Sequence, residues 1–168
     1  ISFELGYTRA FRRRDLADIP GFRTILELMP DVRALEFRNC NLGPAWAVAE
    51  HDAKHDVPLQ ELRITHCEIP ATELGVLIDR LLHCTYLQRL VLGGLEDSMA
   101  LYNVVRDNLA RFLRAHPLRR LGFHGILLGT ATMHAVFSVC ANVEHLTTLS
   151  VGGADPTLIQ NPSQAAAI

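Results

Sequence analysis

Lysine is nearly missing from this chain: Lys54 stands alone beside fifteen arginines in 168 residues. Coding composition alone can produce that skew, so it carries no functional reading. No C-x-x-C pair joins the four cysteines at 40, 67, 84 and 140, which argues against a structural zinc site. The phosphate-cradling G-x-x-x-x-G-K-[ST], the nucleophile elbow G-x-S-x-G and the dinucleotide fingerprint G-x-G-x-x-G are all missing. No cofactor is implied. A formal charge of −2 supplies no global pull toward nucleic acid or an anionic membrane. The chain opens at Ile1 with no apolar signal core, so it reads as a processed product or a fragment of something longer. One stretch free of formal charge, residues 125 to 143, is broken by Gly, Thr, His134, Ser138 and Asn142, and is not expected to span a membrane.

Apolar residues make up 49% of the chain and charged ones 20%, the balance of a folded domain. The length suits a single domain over 1–168, or one arc of a larger one. A spacing recurs within it. "VRALEF" begins at Val32, "LQELRITHCEI" at Leu59, "LQRLVL" at Leu87, "LRRLGF" at Leu118 and "LTTLSV" at Leu146. The steps are 27, 28, 31 and 28 residues, mostly inside the window of leucine-rich repeats. Apolar residues fall at positions one, four and six of each unit. Positions four and six alternate, which predicts a short strand with one buried face. A further strand is expected through Phe3 and Leu5, with its unit starting near residue 1, and 153–168 reads as an irregular tail.

Between strands the period becomes helical. Leu74, Leu77, Ile78, Leu81 and Leu82 follow it, with Thr72 as N-cap. Phe22, Ile25, Leu26 and Met29 form a second such set, stopped by Pro30, and Met133, Val136, Phe137 and Cys140 a third that starts at Thr130 and Thr132. The longest helix is expected from Ser98 to Ala115, with Leu101, Val105, Leu109, Phe112 and Leu113 inward. Residues 44 to 54 predict the weakest, with Pro44 in its first turn and Trp46 on the inner face.

Each unit has an apolar strand face and an apolar helix stripe that only neighbouring units can cover. The chain resembles the leucine-rich-repeat family, in its ribonuclease-inhibitor-like branch, over roughly residues 1 to 152. Long units, intervening helices and Cys at position nine in "LEFRNCNL" and "LRITHCEI" carry the resemblance. The unit from Leu87 departs from it with "LGGLED", and the last two units have Ile126 and Ala154 in place of Cys. The resemblance implies an α/β solenoid arc of five to six repeats, with a parallel β-sheet on the concave face and α-helices on the convex face. Neighbouring turns would set Cys40 and Cys67 within disulfide reach, but the family pattern implies buried, reduced thiols. Relatives of this kind serve as inhibitors, ligase substrate adaptors, immune sensors and assembly subunits, and fold does not choose among them.

Two segments invite a chemical reading. In "HDAKHD", His51 and His55 share a helix face as two metal ligands require, but Asp52 replaces the expected Glu and no third ligand follows. A solvated helix end is the expectation, with no metal. "RAFRRR" puts Arg9, Arg12, Arg13 and Arg14 together, a patch able to grip phosphate but with Phe11 as its one stacking aromatic. A solvated loop or a contact with an acidic protein suits it better than nucleic acid. His83, His116, His134 and His145 read as ordinary surface residues.

The strand-lined face is the remaining surface. Alternation turns Ala34, Glu36, Arg38 and Asn39 outward, then Glu61, Arg63, Thr65 and His66, then Arg89, Val91, Gly93 and Gly94. Arg120, Gly122, His124 and Gly125 follow, then Thr148, Ser150, Gly152 and Gly153. Glu36 should stand beside Arg63, and Glu61 beside Arg89. Arg89 beside Arg120 is unfavourable unless something acidic lies over the two, and Arg38, His66 and His124 lack obvious partners. Partner binding is expected at Arg38, Arg63, His66, Arg89, Arg120 and His124, by a protein with an acidic segment. A face of roughly 400 Å² falls short of the ~800 Å² per partner of a standard interface, so loops, helices or neighbouring repeats would join in.

The expectation is therefore a non-enzymatic protein–protein interaction module, a scaffold or structural subunit of a larger assembly, with neighbouring repeats or subunits covering its ends. The alternatives are a sensor or substrate-adaptor arc of a receptor or ubiquitin-ligase-type protein, a nucleic-acid-contacting subunit using the Arg cluster, and a metal enzyme using His51 and His55. An intracellular, cytoplasmic setting is expected.

Overall fold

A computed structural model describes residues 8–12, 26, 29–38, 42, 58–67, 69–94, 99–124, 128–152 and 157–159. The elements run β1 (Thr8–Arg12), β2 (Ala34–Arg38), β3 (Glu61–Thr65), α1 (Ala71–Leu81), β4 (Arg89–Gly93) and α2 (Met99–Val104). A π-helical turn, Val105–Leu109, leads directly into α3 (Ala110–Ala115). Then come β5 (Arg120–His124), α4 (Thr130–Cys140), β6 (Thr148–Gly152) and β7 (Thr157–Ile159). The fold is α/β. Seven strands form one sheet in sequence order, β1 to β6 parallel and β7 antiparallel to β6.

The register follows from alternation. Leu35, Leu62, Leu90, Leu121 and Leu149 stand side by side, and so do Phe37, Ile64, Leu92, Phe123 and Val151. Both rows are buried, as are Val32, Leu59, Leu87, Leu118 and Leu146 just before the strands. A strand slipped by one residue would turn these side chains to solvent, so the pattern itself holds the register. The backbone repeats the same lock at each step. The carbonyl of Arg33 accepts the N–H groups of Gln60 and Glu61, that of Gln60 those of Gln88 and Arg89, that of Gln88 those of Arg119 and Arg120, and that of Arg119 those of Thr147 and Thr148.

Helix residues complete this core: Leu74, Leu77, Ile78 and Leu81 from α1, then Leu101, Val105, Leu109, Phe112 and Leu113, then Val136 and Cys140 from α4. The expected helix from 98 to 115 is present over 99–115 with the π turn inside it. Among the described residues no helix is long and apolar enough to cross a membrane.

Several expectations need correction. The strand beside β2 is Thr8–Arg12, so Arg9 and Phe11 occupy the register positions beside Leu35 and Phe37 that Phe3 and Leu5 were expected to fill. The chain keeps a step between strands close to those that follow, in preference to the better apolar pair. The cluster starting at Arg9 is accordingly in a strand at Arg9 and Arg12 and not in a loop. Helix α1 is capped at Pro70 with no side-chain hydrogen bond, and Thr72 lies within its first turn. Helix α4 begins at Thr130 after Gly129, with Thr132 buried. The 153–168 stretch is not irregular throughout, because Thr157–Ile159 forms β7 along the edge of β6. Phe3, Leu5, Phe22, Ile25, Asn39, Cys40, Gly125, Ile126, Gly153, Ala154 and the expected helix over 44–54, with Pro44 and Trp46, lie outside the described residues. Cys67 is buried, and its Sγ donates to the Thr65 carbonyl at 3.4 Å.

Candidate functional site

The outward positions of β2 to β6 make three rows across the sheet. The first runs Ala34, Glu61, Arg89, Arg120, Thr148, and the second Glu36, Arg63, Val91, Gly122, Ser150. In the third, Arg38 stands beside Thr65, and Gly93 beside His124 beside Gly152. These rows hold four guanidinium groups against two carboxylates. The surplus is not evenly spread.

Glu61 is the centre of the acidic side. It pairs with Arg63 along its own strand, and its Oε1 lies 3.4 Å from Nε of Arg89 on β4. The register does set Glu36 beside Arg63, yet Arg63 turns to Glu61, and no ion pair joins Glu36 to Arg63 among the described residues. Arg120 has no carboxylate beside it: its neighbours are Arg89 on β4 and Thr148 on β6. Burial pushes the Arg89 guanidinium below its ordinary pKa, Glu61 opposes that, and Arg63 and Arg120 add to it. The like-charge neighbours foreseen from spacing therefore do stand together.

His124 is half-buried and is not without a partner, as sequence suggested: its Nε2 lies 3.3 Å from Ser150 Oγ. Gly122 makes this possible. A Cβ there would come within 2.9 Å of His124 Nε2 and 3.1 Å of Cδ2, so the ring leans back along its own strand over the glycine. Burial lowers the His124 pKa, with the charges of Arg89 and Arg63 acting in the same sense. Val91 and Ser150, expected to face solvent, are 5% and 7% exposed and form a floor beside Gly122. Alternation alone missed that floor, because it assigns a direction without saying what lies over a small neighbour.

The other expected site residues are not part of this group. His66 is exposed beyond β3 in a left-handed conformation, φ 53°, and its N–H donates to the Gly93 carbonyl at 3.1 Å. Arg38 is exposed at the end of β2, and it is not free of interactions. Arg9 and Arg12 hold register positions beside Leu35 and Arg38, while Arg13 and Arg14 lie outside the described residues. So do His51, Asp52 and His55. Among the described residues no cluster of three or more His, Cys, Asp or Glu side chains could hold a metal.

Two of the four histidines read as surface residues are not. His116 is 2% exposed, stacks on Phe112 with ring centroids 4.8 Å apart, and donates from Nε2 to the Cys84 carbonyl. His145 is half-buried and donates from Nε2 to the Leu113 carbonyl at 3.1 Å. The signal that could have found His116 is its place two residues before a buried strand lead, where the chain turns inward from α3. On the helix side, an open groove lies between α1 and α2, lined by Gly75, Val76, Asp79, Ala100, Val104 and Asp107 among others. Asn108 Nδ2 closes part of it by donating to Gly75 O and Asp79 Oδ2.

Among the described residues, the face thus sets the guanidinium groups of Arg89 and Arg120 on neighbouring strands beside the buried Val91, Gly122 and Ser150, an arrangement that suits an anion. No protein-family model matches the chain, and no curated protein or solved structure matches it either.

Proposed function

We propose that the chain is a non-enzymatic protein–protein interaction module, a scaffold or structural subunit of a larger assembly, built as a leucine-rich-repeat solenoid arc of the ribonuclease-inhibitor-like kind. Support for the arc comes from the recurring carbonyl of Arg33, Gln60, Gln88 and Arg119, each of which accepts two N–H groups from the following unit. Strands would line the inner face and helices the outer one. The partner is a protein with an acidic segment that lies across β3 to β5.

The observation that carries this reading is Arg120 beside Arg89 with no carboxylate on its other side. Like charges opposite one another on a sheet are unfavourable, and an acidic side chain over them turns that repulsion into complementarity. The strand face alone is too small for a stable interface, so the partner would extend over neighbouring loops.

The test is recovery of the tagged chain from its native cells, as wild type and as the double variant Arg89→Glu/Arg120→Glu. A stoichiometric protein companion of the wild type should be lost from the variant while circular dichroism stays unchanged. A companion that persists on the folded variant would remove this face from the interface.

A further inference from the structure

The reading above leaves open how an acidic group would be held, and three features on β4 to β6 converge on one spot. Arg120 has no acidic neighbour on either adjoining strand. Gly122, two residues along, has no side chain, and the buried Val91 and Ser150 stand on either side of it. The His124 ring has moved into part of the space the missing side chain leaves, with Nε2 as the ring atom closest to a would-be Cβ. Glycine inside a strand commonly marks a place where another backbone or a ligand approaches closely. Two residues of strand span about 6.6 Å, so the spot beside Gly122 where Nε2 lies is within the reach of a long Arg120 side chain.

The geometry points to a single-carboxylate seat at the Nε2 edge of His124, beside Gly122 and bounded by the guanidinium groups of Arg89 and Arg120, which takes an Asp or Glu side chain of the partner and holds it more tightly when His124 is protonated. This rests on the strand face being the partner surface. Two cations act on the ring, Arg89 on β4 and Arg63 on β3; Arg120 stands four residues back on the same strand, and Glu61 is already engaged by Arg63 and Arg89. From β6 come Thr148, Ser150 and Gly152, none of them charged. Burial lowers the imidazole pKa, and the charges of Arg89 and Arg63 act in the same sense. A carboxylate brought against them reverses the local sign and favours the imidazolium, whose Nε2–H then donates to the carboxylate or to Ser150 Oγ. By linkage, whatever raises the His124 pKa in the complex strengthens binding as pH falls.

A tetraglutamate peptide serves as probe, titrated into the isotopically labelled chain at about pH 7.5 and at about pH 5.5, above the range where glutamate itself protonates. The ring resonances of His124, assigned by comparison with His124→Gln, report its protonation. The expected result is a His124 pKa raised by about one unit in the complex and an affinity up to about tenfold greater at the lower pH. His124→Gln should bind with little pH dependence, and Arg120→Glu should abolish binding at both. Binding across β4 and β5 with equal affinity at the two pH values, or a His124 ring that ignores the peptide, overturns the seat while leaving the strand face as partner surface. No binding to β3, β4 or β5 at either pH overturns both.

Discussion

The Nε2–H of His116 donates to the carbonyl oxygen of Cys84 at 2.8 Å, across 32 residues of chain. His145 makes the same kind of bond to Leu113, again 32 residues back. Each bond ties the start of one unit to the end of an earlier helix, and His116 makes its bond inside the core, against Phe112. Replacing His116 by Ala removes the stacked ring and one of the two hydrogen bonds to the Cys84 carbonyl, which keeps the N–H of Leu87. The expected loss is about 2–4 kcal/mol in urea unfolding, against a change within about 0.5 kcal/mol for the exposed His83→Ala.

His116 also sets an acid sensitivity. Burial lowers its pKa below the ordinary 6.5, the hydrogen bond to Cys84 opposes that, and the charge of His145 adds to it. The folded state therefore binds a proton less readily than the unfolded one. The stability this contributes is whole above pH 6.5 and is lost as pH falls through the lower, folded value. Unfolding free energy measured between about pH 7 and pH 5 should fall for the wild type and fall less for His116→Gln, which keeps a donor without the titration. Equal slopes would remove His116 from the account.

Gly94 and Gly75 separate two uses of glycine. Gly94 has φ +72°, and a Cβ there would lie 2.6 Å from His66 Cα, so backbone would have to move. Gly94→Ala should destabilise by about 1–3 kcal/mol. In α1 a Cβ on Gly75 would meet Asn108 at 3.4 Å, ordinary contact with a side chain. Gly75→Ala should be neutral or stabilise by up to about 1 kcal/mol through helix propensity. Thermal unfolding of the two variants gives the comparison directly.

Cys84 and Cys140 are buried thiols, each pushed up to about 12 by desolvation. Thiolate is the reactive form, so neither should label with a small disulfide reagent in the native protein at neutral pH. Both should label promptly in denaturant. Rapid native labelling of either would show that the core opens locally.

Much of the sheet was legible because period-two alternation leaves few choices: Leu35 with Phe37, Leu62 with Ile64 and Leu121 with Phe123 could each be buried in only one register. The Arg89–Arg120 adjacency followed from the same arithmetic. What spacing could not reach depended on how side chains fill space between strands. Arg63 reaches along its strand to Glu61 and not across to Glu36, and His124 leans back over Gly122 beside the buried Val91 and Ser150. Phe3 and Leu5 offer the apolar alternation of a strand, yet Thr8–Arg12, which lacks it, pairs with β2, so alternation alone did not locate the first strand. His116 was misread because a histidine at a helix end is usually solvated, and only the neighbouring unit supplies the carbonyl that buries it.

Covalent protection of arginine reads out the partner surface most directly. The chain, alone and in its recovered assembly, is treated with an arginine-selective dicarbonyl reagent, and modification is compared at Arg89 and Arg120 on the strand face with Arg106 and Arg111 on the helix side. The account predicts that Arg89 and Arg120 are shielded in the assembly while Arg106 and Arg111 react as in the free chain. Shielding of Arg106 and Arg111 with Arg89 and Arg120 still reactive would contradict it.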